Sequence, residues 1–247
     1  MKKTHLVMLP GWGMEKAGFQ SLTGPLSENT QLSYVEWRNV GLITDFKERV
    51  KETVLSFKEP VYLLGWSLGS LAALDFTSEY PKQIKGLILI GGTSRFTRDE
   101  DYPSGWQPRF VERMKKQLQR NQEKTLTTFY EEMFSVAERE KGLDRQFIEV
   151  VQREFQGDNL DSLCTGLDYL LQTDTRVTLS QIDAPVLLIH GVEDTICPPT
   201  ASSLINQQLG ENAEFHEIEN AGHISFFTKS DECIQLIIKF LQKDEKQ

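Results

Sequence analysis

The chain has 247 residues, 39% of them hydrophobic and 26% charged, with a formal net charge of −9. That is enough for one large domain or a core with an insert; the acid excess argues against non-specific nucleic-acid binding, and no apolar run approaches the ~20 residues of a membrane span. Three widely spaced cysteines, Cys164, Cys197 and Cys233, form no C-x-x-C pair, which points to a reducing compartment, the cytoplasm by default, and away from a disulfide framework or zinc site.

Met1-Lys2-Lys3 looks like the start of a secretion signal. The apolar run after His5 stops at Pro10-Gly11, too soon for one, and residues 6–9 read instead as a first strand. Residues 16–27 follow as a weakly amphipathic helix, 32–37 as an alternating second strand, and 44–57 as a helix of period 3.6 with Thr44 as its N-cap. Residues 61–64 form a buried strand and 70–76 a helix; 86–90 is the next strand, ending in Gly91-Gly92-Thr93. Strand and helix alternating at this spacing predict an α/β fold, a mostly parallel sheet with helices on both faces. From about Ser94 the chain becomes charged and helical, and strands return only at 185–190 and 214–218, with helices at 199–209 and 230–243. The core is thus expected in 1–93 and 176–247, with 94–175 as a helical cap over one end of the sheet and 243–247 as a frayed tail.

Between the strand at 61–64 and its helix stands Gly65-Trp66-Ser67-Leu68-Gly69. In that context G-x-S-x-G is a nucleophile elbow: the serine sits in a strained turn, and the glycines two residues either side avoid collisions with strand and helix. A serine hydroxyl needs a base to take its proton and a third group to orient that base. Among four histidines, His5 precedes the serine and His216 lies inside a strand. His190 ends a strand and stays a minor candidate, while His223, in the Ala221-Gly222-His223-Ile224 loop after the last strand, is placed to swing over the sheet's carboxyl edge. The acid belongs between serine and histidine in chain order. Asp194 follows the strand at 185–190, Glu193 competes with it, and Asp183 lies at the wrong end of that strand. Ser67, Asp194 and His223 are therefore the expected triad. The amide of Leu68, with that of Trp12 in Gly11-Trp12-Gly13 after the first strand, would form the oxyanion hole.

With these residues in place the chain resembles an α/β-hydrolase with a helical cap, nearly end to end. More narrowly it is similar to the pimeloyl-[acyl-carrier protein] methyl ester esterases of biotin synthesis. The similar pieces are Gly11-Trp12-Gly13, the elbow, Thr93-Ser94-Arg95-Phe96 opening the cap, and Gly166-Leu167-Asp168 with Thr173-Asp174-Thr175-Arg176 closing it. The resemblance implies a serine carboxylesterase with no metal or organic cofactor, acting on an ester bound to an acyl-carrier protein; the chain is expected to be a monomer. It implies that Phe129, Tyr130 and Met133 line the acyl chain, although on spacing alone Phe129 and Met133 share a helix face of the kind that is more often core. Three positions depart from the family pattern: Pro10 where a histidine is usual, Ser70 for a second glycine, and a short loop Arg38-Asn39-Val40-Gly41 after the second strand.

Arg109, Arg113, Lys116, Arg120 and Lys124 recur at helical spacing as one basic stripe along the cap, with Phe110, Val111, Met114 and Leu118 on another face. Such a stripe is commonly a solvated face. In so acidic a chain it would also suit an acidic partner such as an acyl-carrier protein. The same triad could serve a menaquinone-pathway lyase, a thioesterase or a general small-ester esterase, and the scaffold could also serve a non-catalytic binder.

Overall fold

The computed structural model describes residues 3–243. Its centre is a six-stranded sheet of order β2-β1-β3-β4-β5-β6, formed by β1 (Thr4–Leu9), β2 (Thr30–Tyr34), β3 (Val61–Trp66), β4 (Ile84–Ile90), β5 (Val186–Gly191) and β6 (Ala213–Ile218). Every neighbouring pair is parallel. Position in the sheet follows composition. The continuous apolar runs of β3 and β5 are buried along their whole length in the middle, where both faces are covered. The mixed β6, with Glu214, His216 and Glu217, lies half-buried at one edge, its charges blunting further pairing.

Helices α1 (Gln20–Asn29), α2 (Thr44–Leu55) and α3 (Leu68–Glu79) belong to the first half of the chain. Five more, α4 (Pro108–Arg120), α5 (Gln122–Glu132), α6 (Val136–Glu140), α7 (Leu143–Glu154) and α8 (Leu160–Gln172), fill the excursion between β4 and β5, the segment expected to be the cap and called so below. The last three are α9 (Pro199–Leu209), α10 (Ser225–Thr228) and α11 (Ser230–Lys243). α1 packs with α10 and α11, while α2 packs on α3, which spreads its contacts over β1, β3 and β4. The alternation read from sequence is therefore present. Boundaries shift: β2 starts two residues earlier than the alternation suggested and gives way to loop after Tyr34, and α1 begins at Gln20, four residues after the expected start.

Two local expectations are corrected. Thr44 is not an N-cap: it lies inside α2, and the carboxylate of Asp45 accepts from the Gly41 and Leu42 amides at 2.9 Å each. The basic stripe does not run along one helix either. Asn121 leaves helical geometry and caps α5 by accepting from the Lys124 amide at 2.9 Å, so Lys124 stands on a different helix from the other four. Phe110 is 44% exposed, apart from the buried Val111, Met114 and Leu118. The tail beyond residue 243 lies outside the described residues.

Candidate active site

A parallel sheet sends the loops that follow its strands to one edge, and that edge is where doubly wound folds bind ligands. Ser67 follows β3, Asp194 follows β5, His223 follows β6 and Gly11–Gly13 follows β1. Ser67 adopts φ 57° and ψ −118°, a left-handed conformation that costs a non-glycine residue about 1–3 kcal/mol. The close packing that enforces it can be measured at the flanking glycines. A Cβ at Gly65 would stand 2.5 Å from the Gly69 carbonyl oxygen, and one at Gly69 would stand 2.0 Å from that of Leu9. Ser70 turns out to brace the elbow: its hydroxyl donates to the Gly65 carbonyl at 2.6 Å. Pro10 also has a use, as its carbonyl accepts from the Trp37 indole at 2.7 Å. The short loop after β2 is gathered by Arg49, whose guanidinium donates to the carbonyls of Glu36, Arg38 and Asn39.

Asp194 and His223 meet as expected. Their side chains are 0% and 1% exposed, and Nδ1 of His223 lies 2.7 Å from Oδ2 of Asp194. Burial pushes the Asp194 carboxyl up, but the charge of His223 and hydrogen bonds from His190 and His223 outweigh it and hold the group below the ordinary carboxylate range. An ionised carboxylate only accepts, so Nδ1 carries a proton, and in the neutral imidazole the lone pair then falls on Nε2. Nε2 is buried without a hydrogen-bond partner among the described residues. Trp66, next to Ser67, donates to the His223 carbonyl at 3.1 Å. That contact brings the histidine loop to the elbow, although no hydrogen bond joins Ser67 Oγ to Nε2.

The rival residues fall elsewhere. His190 is fully buried, with Nε2 2.7 Å from the Cys197 carbonyl and 3.0 Å from Asp194 Oδ2, and Nδ1 2.7 Å from Ser202 Oγ. Facing two acceptors, Nε2 must carry a proton, so His190 supports the acid rather than acting as a base. Glu193 and Asp183 are exposed, His216 lies half-exposed 3.9 Å from Glu214, and His5 packs against Phe57. Oδ1 of Asp194 is held by the amides of Ile196 at 2.8 Å and Cys197 at 2.9 Å.

Over Ser67 lies an apolar cavity with about 310 Å³ of free space, walled by Trp12, Phe96, Met114, Phe129, Leu167 and Ile196. It is so tightly closed that its open centre is about the size of one water. The Trp12 indole donates to the Leu163 carbonyl at 2.9 Å and meets the Phe129 ring edge-on. Of the three proposed acyl-chain residues only Phe129 faces this cavity. Tyr130 donates to the Gly13 carbonyl at 3.2 Å and faces a separate space of about 960 Å³, whose lining includes none of Ser67, Asp194 and His223. Met133 is 1% exposed and packs in the core. A wide groove continues outward from the cavity over Trp106, Met114 and Phe129. Arg98, Arg113, Arg120 and Lys124 line it, with Glu132 as its acidic side chain. Arg109, which stacks on Phe110, and Lys116 are not part of its lining.

Where the cap leaves and rejoins the core, its two ends are laced together. The Thr175 amide and hydroxyl donate to the Ser94 carbonyl at 2.8 and 2.9 Å, and Arg95 and Arg176 bind Asp174 at 2.6 and 2.7 Å. Burial raises the Asp174 carboxyl, but hydrogen bonds from Arg176 and Arg95 prevail and bring it to about 2. Sequence reasoning missed His190 as a support, Trp66 as a tie to the histidine loop, and Ile196 as a wall of the cavity. Only Trp66, inside the elbow, carried a local signal.

The chain matches the sequence profile described as alpha/beta hydrolase fold over residues 45–230. It is 24% identical over 243 residues to a pimeloyl-[acyl-carrier protein] methyl ester esterase of Yersinia enterocolitica, covering 96% of this chain and 93% of that one. An esterase of the same description from Aliivibrio salmonicida is 27% identical, covering 98% and 94% of the two chains. Among solved structures, an esterase from Exiguobacterium antarcticum superposes with a TM-score of 0.86 at 21% identity, over 98% of this chain and 92% of that one. A bromoperoxidase from Bacillus anthracis superposes with a TM-score of 0.87 at 17% identity, with the same coverage.

Proposed function

The chain belongs to the alpha/beta hydrolase family, and from that premise we propose that it is a serine carboxylesterase that cleaves the methyl ester of an acyl chain, pimeloyl in the first instance, carried on an acyl-carrier protein. The observation that carries the reading is the buried His223–Asp194 pair at 2.7 Å, with an unpartnered Nε2 on the same sheet edge as a serine forced to φ 57°. Apo geometries are commonly loose at this contact, and the hydroxyl closes on Nε2 when substrate binds.

In the proposed reaction Nε2 of His223 takes the Ser67 proton as Oγ attacks the ester carbonyl. The imidazolium is stabilised by Asp194, which His190 and the Ile196 and Cys197 amides keep ionised and in place. The oxyanion is received by the Leu68 amide, at the first residue of α3 where no helical acceptor exists, and by the Trp12 amide. Methanol leaves with the proton from His223. Water, deprotonated by the same nitrogen, then releases the acid and restores Ser67.

The names of the relatives and the basic groove support a carrier-bound substrate. Arg113, Arg120 and Lys124 line the way into the cavity, where they would meet an acidic carrier protein. The three cysteines are unpaired, which favours the cytoplasm. The test offers the methyl ester of a carrier-bound dicarboxylate and assays methanol and free thiol separately. Methanol release that disappears in Ser67→Ala is expected. Thiol release without methanol would make the protein a thioesterase.

A further inference from the structure

The cap reaches down onto the loop that carries His223. The His223 amide donates to the Met133 carbonyl at 2.8 Å. Beside it, Oε2 of Glu138 accepts from the Gly222 amide at 3.0 Å and from the Ser135 amide at 2.8 Å. Glu138 is 3% exposed, and its second oxygen, Oε1, is buried without a hydrogen-bond partner among the described residues. Half-satisfied buried carboxylates are costly, and the capping box that Glu138 completes with Ser135 would form equally well at the surface. The contact is also tight: a Cβ at Gly222 would stand 2.5 Å from the Met133 carbonyl oxygen and 2.9 Å from the Ser135 nitrogen.

We propose that Glu138 is a positioning residue for His223, the carboxylate through which the seated cap sets the imidazole. The inference rests on the reading of His223 as the base. Asp194 fixes the rotation of the ring through Nδ1. The height and tilt of the backbone beneath it are set by two successive amides, Gly222 on Glu138 and His223 on Met133. Release of that clamp lets Nε2 drift, and a displacement of about 1 Å in such a group costs on the order of 10²-fold in rate. The cavity over Ser67 has room for about one water at its centre, so an ester that arrives along the groove is seated only as the cap lifts. Lifting it carries Glu138 and Met133 away from the loop, and reseating restores the base in the same movement that excludes water.

The experiment measures kcat, KM and Tm on a small nitrophenyl ester, which brings no carrier protein to the basic groove. Glu138→Ala is expected to lower kcat about 10²-fold with little change in KM. Glu138→Gln, whose amide oxygen can accept both N–H groups, should recover most of the loss. Ser135→Ala removes the hydroxyl that accepts from the Glu138 amide at 3.3 Å; it should lower Tm and leave kcat unchanged. Equal kcat in the folded Glu138→Ala and Ser135→Ala proteins would overturn the inference. If Glu138→Ala does not fold, Gly222→Ala, which pushes the loop off the cap, decides the matter: a fall in kcat supports the clamp and an unchanged kcat refutes it. His223→Ala separates the two levels. Full activity there removes the base itself, whereas loss there with full activity in Glu138→Ala removes only the role of Glu138.

Discussion

Ser67 is fixed from below, by the sheet, and His223 is fixed from both sides. Everything that shapes the elbow belongs to the core: the Leu9 carbonyl against Gly69, the Ile90 carbonyl that accepts from the Ser67 amide at 3.0 Å, and the Ser70 hydroxyl. His223 is oriented by Asp194 in the core, while its backbone hangs from Met133 and Glu138 in the cap. Strain at Ser67 is therefore built in by the core alone. In the proposed mechanism the base depends on a part that moves to seat the substrate. Such a division would let the enzyme keep Ser67 shaped at all times while its proposed base is armed only when the cap is seated.

The largest effect is expected where the core holds the base. Asp194→Asn keeps an acceptor for the Ile196 and Cys197 amides but removes the charge that sets the His223 tautomer, so kcat should fall by about 10⁴-fold, as in serine proteases. Thermal melting and a steady-state assay check it. A loss smaller than about tenfold would mean that the cap alone holds the base, which would upset the division drawn above.

How much of this was open to reading from sequence depends on whether a signal is local. The elbow was legible because strand, glycine spacing and helix lie within twenty residues, and Asp194 and His223 because each follows a strand in the order the chemistry requires. Thr44 failed as a cap because Asp45, one residue on, reaches back to two amides, and either residue type suits that place. The stripe was misread as continuous because one Asn inside a helical pattern is a weak stop signal, although Asn121 is a poorer helix former than Arg120 and Gln122 and a favoured N-cap. The Ser135-x-x-Glu138 spacing marks a helix start and nothing more. Its pairing with Gly222, 84 residues away, exists only once the cap has folded back, and no local pattern announces it.

A smaller effect should sort the entrance from the machinery. Arg113→Glu with Arg120→Glu reverses two cations that line the groove and touches neither Ser67 nor the clamp on His223. For a carrier-bound ester kcat/KM should fall roughly tenfold, more at low salt, while a nitrophenyl ester is turned over as before. Equal loss on both substrates would show that the groove helps seat the cap rather than receive a partner.

The smallest effect concerns the lacing at the foot of the cap. Asp174, bound by Arg95 and Arg176, has a carboxyl held at about 2, below the ordinary ~3.9. A depressed value means that the contribution to stability is fully present above about pH 4 and is lost as pH falls through 2. The group is partly exposed, so solvent screening cuts that contribution to about 1 kcal/mol, or about 2–4 °C in Tm for a chain of this size. Asp174→Asn should therefore melt lower than the parent at pH 7, with the gap narrowing steadily toward pH 2.5 and shrinking in about 0.5 M salt. A gap that ignores pH would assign the stabilisation to the neutral Thr175–Ser94 hydrogen bonds instead. Because the lacing governs the cap and leaves the elbow alone, its loss should also lower kcat modestly in the direction set by a looser His223, with no change in the packing around Ser67.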